Sequence, residues 1–579
     1  MSENIMRTEY PRPQMVRSTW QHLNGWWDFE FDFSKSKLER GFVENGEYTQ
    51  RINVPFCPES KLSGIEFVDF IPACWYRRTI TISAQEKRGA VLLHFGAVDY
   101  KCTLFVNGKK AGTHKGGYAS FHFDITKFVN EGENTIVVYA EDDTRGGKQP
   151  RGKQCPGYFS KGCDYTRTTG IWQTVWLEFA PFNRISRYRV EPDLNNAAAN
   201  FTVILAGDTD GMEVCVKSSF NGRPMGEGSV LVNAGAATLR LSLAESHPWD
   251  VGAPNLYDIS IELRHEGKII DIITGYFGLR NIYLKDGAIY LNNRPLFQRL
   301  VLDQGFYPDG VYTAPSDEAL KQDIVLSMDL GFNGARMHEK IFEERFMYHA
   351  DKLGYLVWGE HANWGLDHTV PEALHYFLPE WLEVIERDFN HPSLIGWCPF
   401  NETWDLDGKK QYDETLRVVY LATKAADPTR PVIDVSGYHH IITDVYDTHD
   451  YVQETEDFCA HYTNLKRGEC YDPQKGKQHF QGQPFFVSEF GGCKWAPGDD
   501  SGWGYGDAPK TEEEFAAKYE AFSGALLNCE AVSAFCYTQL FDVEQEQNGL
   551  LTYHRGKKLS DAIYARIKAA NERKAAIEG

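Results

Sequence analysis

Apolar and polar residues alternate in short runs through roughly residue 182, as in Ala90 to Phe95, Thr103 to Val106 and Thr135 to Tyr139. A period of two is what a half-buried strand requires, and Asn107-Gly108 is a dipeptide that tight hairpin turns favour. Residues 1–182 therefore predict an all-β sandwich. After Ala180-Pro181 the alternation resumes at Asn200 to Leu205, Glu213 to Lys217, Ala237 to Leu243 and Leu256 to Leu263. This second stretch, residues 183–282, has the size of an immunoglobulin-like β-sandwich.

From about residue 285 strands and helices alternate, the pattern of a parallel sheet covered by helices. Short apolar strands are predicted at Leu296 to Leu302, Gly334 to Met337, Tyr355 to Trp358, Leu394 to Cys398, Pro431 to Val435, Asp444 to Thr448, Phe485 to Val487 and Ala534 to Tyr537. One intervening helix is marked by Ser316 as its cap, Asp317 and Glu318 at its positive end, Leu320, Ile324 and Met328 on one face, and Gly331 as its stop. Eight strands in residues 283–579 predict a (β/α)8 TIM barrel, with a doubly wound open sheet as the alternative.

Composition narrows the function classes. The formal charge is -21, without a basic cluster, which disfavours nucleic acid and anionic lipid as partners. No apolar run is long enough to span a bilayer, and the N-terminus lacks the pattern of a secretion signal. Twelve cysteines without paired CxxC spacing read as free thiols, so a cytoplasmic location is expected. Aromatic residues make up 14% of the chain, enough both to fill sandwich cores and to stack on sugars.

On a (β/α)8 barrel, chemistry gathers at the C-terminal ends of the strands. The predicted strands end there at Asp303 and Gln304, Arg336 and His338, Glu360, His361 and Asn363, Asn401 and Glu402, His449 and Tyr451, and Glu489, with Asp542 and Glu544 after the last. Cleaving a glycosidic bond takes one carboxyl group to protonate the leaving oxygen and another to attack or to activate water. Glu402 and Glu489, three strands apart on one rim, meet that requirement best. A solvated rim carboxylate or an ion pair is the alternative for Glu360 and Glu544.

The segments Trp397 to Trp404 (WCPFNETW) and Val487 to Gly492 (VSEFGG) resemble the acid/base and nucleophile signatures of glycoside hydrolase family 2. The likeness covers nearly the whole chain. ACWYRRTI (Ala73 to Ile80), FGAVDYKCTLFVN (Phe95 to Asn107), HKGGYASFHFDIT (His114 to Thr126) and GIWQTVWL (Gly170 to Leu177) resemble that family's N-terminal sugar-binding jelly roll. The resemblance implies Glu402 as acid/base and Glu489 as nucleophile. It also implies Asp164 as a substrate contact from a jelly-roll loop, Asn401 as the partner of the sugar 2-hydroxyl and Tyr451 as the tyrosine near the nucleophile. Asp303, Arg336, His338, Glu360, His449 and Tyr537 complete the expected carbohydrate-binding set, although the chain reads RMH where the family commonly shows RxSH.

Two departures bear on the substrate. The magnesium-binding Glu and His of the large β-galactosidases would fall near Trp364 and Leu366, so no metal and no other cofactor is expected. The Asn-x-Lys motif with which β-glucuronidases grip a carboxylate is replaced by VEQEQNGLLTYHRGKK, where only Lys557 and Lys558 or an arginine could supply a cation. A retaining exo-glycosidase acting on terminal β-D-galactosides is the leading expectation. α-L-arabinofuranosides, β-galactofuranosides or β-hexuronides are the alternatives, and a non-catalytic carbohydrate-binding protein is the rival from another class. The resemblance allows a homo-oligomer. The mechanism would need Glu402 to start protonated, its pKa raised by Glu489 and by desolvation.

Overall fold

The computed structural model describes residues 5–474, 476–498 and 501–579. Its first sandwich packs a four-stranded antiparallel sheet, ordered Trp20–His22, Val175–Ala180, Ala90–Phe95, Phe121–Asp124, against a six-stranded one running from Gln50–Val54 to Lys109–Lys115. Trp27, Phe29, Leu93, Phe95, Leu104, Val138 and Leu177 fill the space between them. Asn107 and Gly108 turn the Lys101–Val106 strand into Lys109–Lys115, both with left-handed φ (50° and 78°). The immunoglobulin-like sandwich pairs a three-stranded with a four-stranded sheet around Phe201, Val214, Ile261 and Phe277.

The segment before the first sandwich ties the layers together. Arg7 donates to both carboxylate oxygens of Glu343 in the barrel, at 3.0 and 2.7 Å, and Arg17 spans Asp271 of the second sandwich and Glu178 of the first. All five of these charged side chains are nearly inaccessible to water.

The C-terminal region is a curled, all-parallel sheet of seven strands: β1 (Gln298–Asp303), β2 (Gly334–Met337), β3 (Leu356–Glu360), β4 (Leu394–Cys398), β5 (Tyr446–Asp450), β6 (Phe485–Gly491) and β7 (Val532–Thr538). Their spatial order is β4-β3-β2-β1-β7-β6-β5. Helix α1 (Asp317–Asp329) begins where Ser316 accepts the Ala319 N–H. Leu300, Leu302, Trp358, Phe486 and Cys536 point into the barrel, while Val301, Val357, Val487, Phe535 and Tyr537 pack under the helices.

The predicted strand Pro431 to Val435 does not form a ladder. Its backbone bonds to β4, with Trp397 N donating to Pro431 O and Ile433 N to Trp397 O, and forms only isolated bridges there. Side chains close the seam to β5. Asp434 turns the chain by accepting the N–H groups of Ile441 and Ile442, and His440 sits between Asp434 Oδ1 (2.7 Å) and Asp447 Oδ1 (3.0 Å). Burial would depress the His440 pKa, but the two carboxylates outweigh it and push it up to about 10.

A folded-state pKa above the free value of about 6.5 means that this stabilisation is complete below pH 6.5 and is lost as pH rises through about 10. His440→Gln leaves two buried carboxylates facing each other and is expected to cost about 3–5 kcal/mol near neutral pH. Thermal unfolding followed from pH 6 to 10 checks this, since the gap between wild type and variant should narrow toward pH 10. A constant gap would remove His440 from the seam's charge balance.

All twelve cysteines are unpaired. Among the described residues no helix is long and apolar enough to cross a membrane.

Candidate active site

Period-two alternation decides which rim residues face the barrel's interior. On β2, Ala335 and Met337 face the helices, which leaves Arg336 and then His338 pointing inward. On β6, Phe486 points in and Val487 out, so strict alternation would turn Glu489 toward the helices. A bulge prevents this. Thr448 pairs with Val487, but the next residue, His449, pairs with Glu489, so Ser488 is the extra residue and Glu489 re-enters the mouth.

Arg336, completely buried, is the hub. Its guanidinium donates to Glu360 Oε2 (2.6 Å), Glu489 Oε1 (3.0 Å), Asn401 Oδ1 (3.1 Å) and Ser488 O (2.8 Å). Burial would raise the Glu360 pKa, but Arg336 and His338 outweigh it and hold it at about 2. His338 Nδ1 lies 2.8 Å from Glu360 Oε1, off any hydrogen-bond direction. The second oxygen of Glu489 accepts the Tyr451 hydroxyl, which also touches Thr538 Oγ1 at 3.0 Å.

Glu402 follows β4 in a left-handed backbone conformation (φ 42°), costing roughly 1–2 kcal/mol in a non-glycine residue. Its carboxylate accepts from His449 Nδ1 (2.6 Å) and Trp404 Nε1 (3.1 Å). His449 reaches the other way to Ser436 Oγ (3.0 Å) and lies 3.4 Å from Glu489 Oε1. A ligating atom each from Glu402, His449 and Glu489 fall within 4.8 Å of one another. Gly437 allows this approach, since a Cβ there would meet the His449 ring at 2.3 Å.

The electrostatics depart from the raised Glu402 pKa anticipated above. Burial pushes it up, but the hydrogen bond and charge of His449, with the charge of Lys153, bring it down to about 2. His449 moves oppositely, because the charges of Glu489 and Glu402 outweigh its burial. His449 thus lies between two carboxylates, both of which favour its protonated form. Trp364 and Leu366 offer no metal ligand.

Asn401 is fixed through its backbone and Oδ1, yet its buried Nδ2 has no hydrogen-bond partner. Such an orphan donor beside the carboxylates is available to a substrate hydroxyl. Three other anticipated sugar contacts lie elsewhere. Tyr537, on the outer face of β7, packs against Phe490 and Tyr519 below the mouth, and its inward neighbour Thr538 reaches the site instead. Asp303 ends β1 on the outer face, accepts the Gly305 N–H, and has its pKa raised to about 6 by burial and by Asp323. Asp164 lies on the expected sandwich loop but pairs with Arg151 at 2.8 Å.

That loop contributes a residue the sequence reading missed. Lys153 is buried, with its ammonium 3.7 Å from the Trp364 ring centroid and no hydrogen bond or ion pair among the described residues. Burial opposes its charge, but nearby acidic groups, Glu546, Glu402 and Glu339 among them, hold its pKa above the ordinary lysine range. Lys558 is consumed by Asp542 at 2.7 Å and Lys557 by Asp561, so neither reaches the mouth. Glu544 accepts the Thr166 N–H, and Glu546 accepts the Tyr165 hydroxyl, which fastens the sandwich loop to the segment after β7.

Comparison with known proteins follows the same three-part division. Residues 20–181 match the description "Glycosyl hydrolases family 2, sugar binding domain", residues 183–280 "Glycosyl hydrolases family 2", and residues 282–499 "Glycosyl hydrolases family 2, TIM barrel domain". A β-glucuronidase of Streptococcus agalactiae is 25% identical over 565 residues, 88% of each chain. A β-galactosidase of Thermoanaerobacter pseudethanolicus is 27% identical over 67% of this chain and 52% of its own length. A putative β-glucuronidase of Formosa agariphila is 27% identical over 61% of this chain and 42% of its own length. The chain thus spans about half the length of these last two relatives. The solved β-glucuronidase of Lactobacillus rhamnosus superposes with a TM-score of 0.80 at 21% identity, covering 98% of this chain and 100% of the other.

Proposed function

The chain belongs to glycoside hydrolase family 2, and on that premise we propose that it hydrolyses terminal non-reducing β-glycosides with retention of configuration. The observation that carries this reading is the spacing of Glu402 and Glu489, whose nearest ligating atoms lie within 4.8 Å. Retaining glycosidases hold their carboxyl groups about 5–5.5 Å apart, and inverting ones leave about 6.5–9.5 Å for a water. Glu489, oriented by Arg336 and Tyr451, attacks the anomeric carbon while Glu402 protonates the departing oxygen. Glu402 then takes a proton from water, whose oxygen displaces Glu489. The free Asn401 Nδ2 is placed to bind the sugar 2-hydroxyl.

His449 Nδ1 lies one hydrogen bond from the Glu402 carboxylate, and the pair shares the proton that catalysis delivers. His449 and Glu402 titrate as a pair, and activity should fall on the alkaline side as the pair loses its single proton. In His449→Gln, Glu402 must hold the proton unaided, so the alkaline limb of kcat/KM is expected to move and activity at pH 7 to drop by roughly 10²-fold. An unmoved limb would assign it to another group.

For the sugar, we favour a neutral β-D-galactoside. Glu546 follows β7 where the β-glucuronidase motif supplies a cation, and it offsets the Lys153 charge. Lys153 itself supports a second reading, a β-hexuronide, because a buried ammonium with no ion-pair partner among the described residues is a fitting partner for a carboxylate. Hydrolysis of a panel of p-nitrophenyl glycosides decides between them. Cleavage of the β-galactoside that Lys153→Met leaves largely intact supports the first, whereas cleavage of the β-glucuronide abolished by Lys153→Met supports the second. A panel with no cleaved member would contradict the enzyme reading.

A further inference from the structure

Asp447 and His449 lie two residues apart on β5 and share its inward face, while Tyr446 between Val445 and Asp447 turns toward the helices. His449 meets Glu402, and Asp447, one pleat earlier, meets two serines. Its Oδ2 accepts the hydroxyl of Ser436 at 2.7 Å and that of Ser488, both completely buried, and its Oδ1 lies 3.0 Å from His440 Nε2. Burial opposes the charge of Asp447, but His440, His449 and Ser488 hold its pKa below the ordinary carboxylate range. A hydroxyl has one proton to give, and an ionised carboxylate can only accept. The Ser436 proton is therefore committed to Asp447.

That commitment decides how His449 carries its hydrogens. Ser436 Oγ faces His449 Nε2 at 3.0 Å with lone pairs alone, and Nε2 also lies 3.4 Å from the Glu489 carboxylate. With acceptors on both sides, Nε2 keeps its hydrogen. In the neutral ring Nδ1 is then bare, because the bond made by one imidazole nitrogen sets the state of the other. Nδ1 is the atom 2.6 Å from Glu402 Oε1, so a single proton between them can sit on either, and on Glu402 it finds a lone pair to bond. The opposite tautomer, with its hydrogen on Nδ1, would hold Glu402 as an anion. The other charge bearing on His449 is that of Arg336, and the Tyr451 ring stands 6.4 Å away. The Ser436 backbone also accepts the Glu402 N–H at 2.9 Å, so one residue holds both members of the pair.

We propose that Asp447 and Ser436 are positioning residues that fix the hydrogen of His449 on Nε2 and thereby allow Glu402 to start the reaction as an acid. The inference rests on the assignment of Glu402 as the proton donor. Neither residue touches the substrate, and both act through the ring.

The test uses two β-glycosides of the sugar that the panel identifies, one with a 2,4-dinitrophenyl leaving group, which departs without a proton, and one with a methyl leaving group, which needs it. Ser436→Ala is expected to lower kcat/KM for the methyl glycoside roughly tenfold to a hundredfold more than for the dinitrophenyl glycoside. Ser488→Ala removes a hydroxyl from the same Asp447 oxygen without touching His449, so its losses should be equal. In Asp447→Asn the amide oxygen must face the His440 N–H, which turns the amide NH2 toward Ser436 and frees the serine proton for Nε2. The hydrogen of neutral His449 then moves to Nδ1, and the alkaline limb of kcat/KM for the methyl glycoside should shift to lower pH. Equal losses for the two substrates in Ser436→Ala, or an alkaline limb in folded Asp447→Asn that stays in place or rises, would overturn the proposal with the glycosidase reading intact. Where Asp447→Asn does not fold, Ser436→Ala decides alone. Equal losses in Glu402→Ala would bring down the acid assignment and this inference with it.

Discussion

Glu489→Ala is expected to lose on the order of 10⁴-fold in turnover, about 5.5 kcal/mol of transition-state stabilisation, and to regain part of it with azide. With the carboxylate gone, azide enters from its face, displaces the leaving group that Glu402 protonates, and yields the α-glycosyl azide from a β-glycoside. Glu402→Ala should behave in the opposite sense. With an activated aryl glycoside the glycosyl-enzyme still forms on Glu489, which frees the acid site to azide, and the product is the β-azide. Product stereochemistry by NMR reads both variants. A β-azide from Glu489→Ala, or full activity without azide, would reverse or abolish the assigned roles.

Arg336→Met is expected to destabilise the barrel by about 3–5 kcal/mol and to abolish measurable turnover. Removing the cation strands Glu360, which is completely buried and pairs with Arg336 at 2.6 Å, and unfixes Glu489. Arg336→Lys retains a charge but not the fork that reaches Glu360, Glu489, Asn401 and Ser488 together, so it should recover stability more than activity. Denaturant unfolding alongside kcat/KM separates the two effects. A stable, active Arg336→Met would mean that the carboxylates are not held by this hub.

The His449–Glu402 pair shows why geometry must precede any inference from pKa. From the two carboxylates alone, repulsion by Glu489 should raise the Glu402 pKa. The structure inserts an imidazole between them, which lowers the Glu402 pKa and raises that of His449. His449 was among the residues anticipated at the sugar site, but its position between the carboxylates depends on Gly437, on Ser436 and on the bulge at Ser488, all distant in sequence.

The chain itself determined the order of its layers. Period-two alternation up to residue 282, followed by alternating strands and helices, follows from local packing against one or two faces, and such periodicity is written into neighbouring residues. It determined the signatures around Glu402 and Glu489 for a similar reason, since each signature is carried by the few residues of its own strand end. Only the tertiary structure decided what faces what. Thr538 rather than Tyr537 enters the mouth, because pleat phase is set by pairing with the adjacent strand. The segment at Pro431 closes the barrel through Asp434, His440 and Asp447 instead of a ladder, because side chains satisfied the seam. Lys153 and Trp404 became part of the site because folding carries a sandwich loop and the segment after β4 to the same rim, and no local pattern encodes a meeting of segments some 250 residues apart.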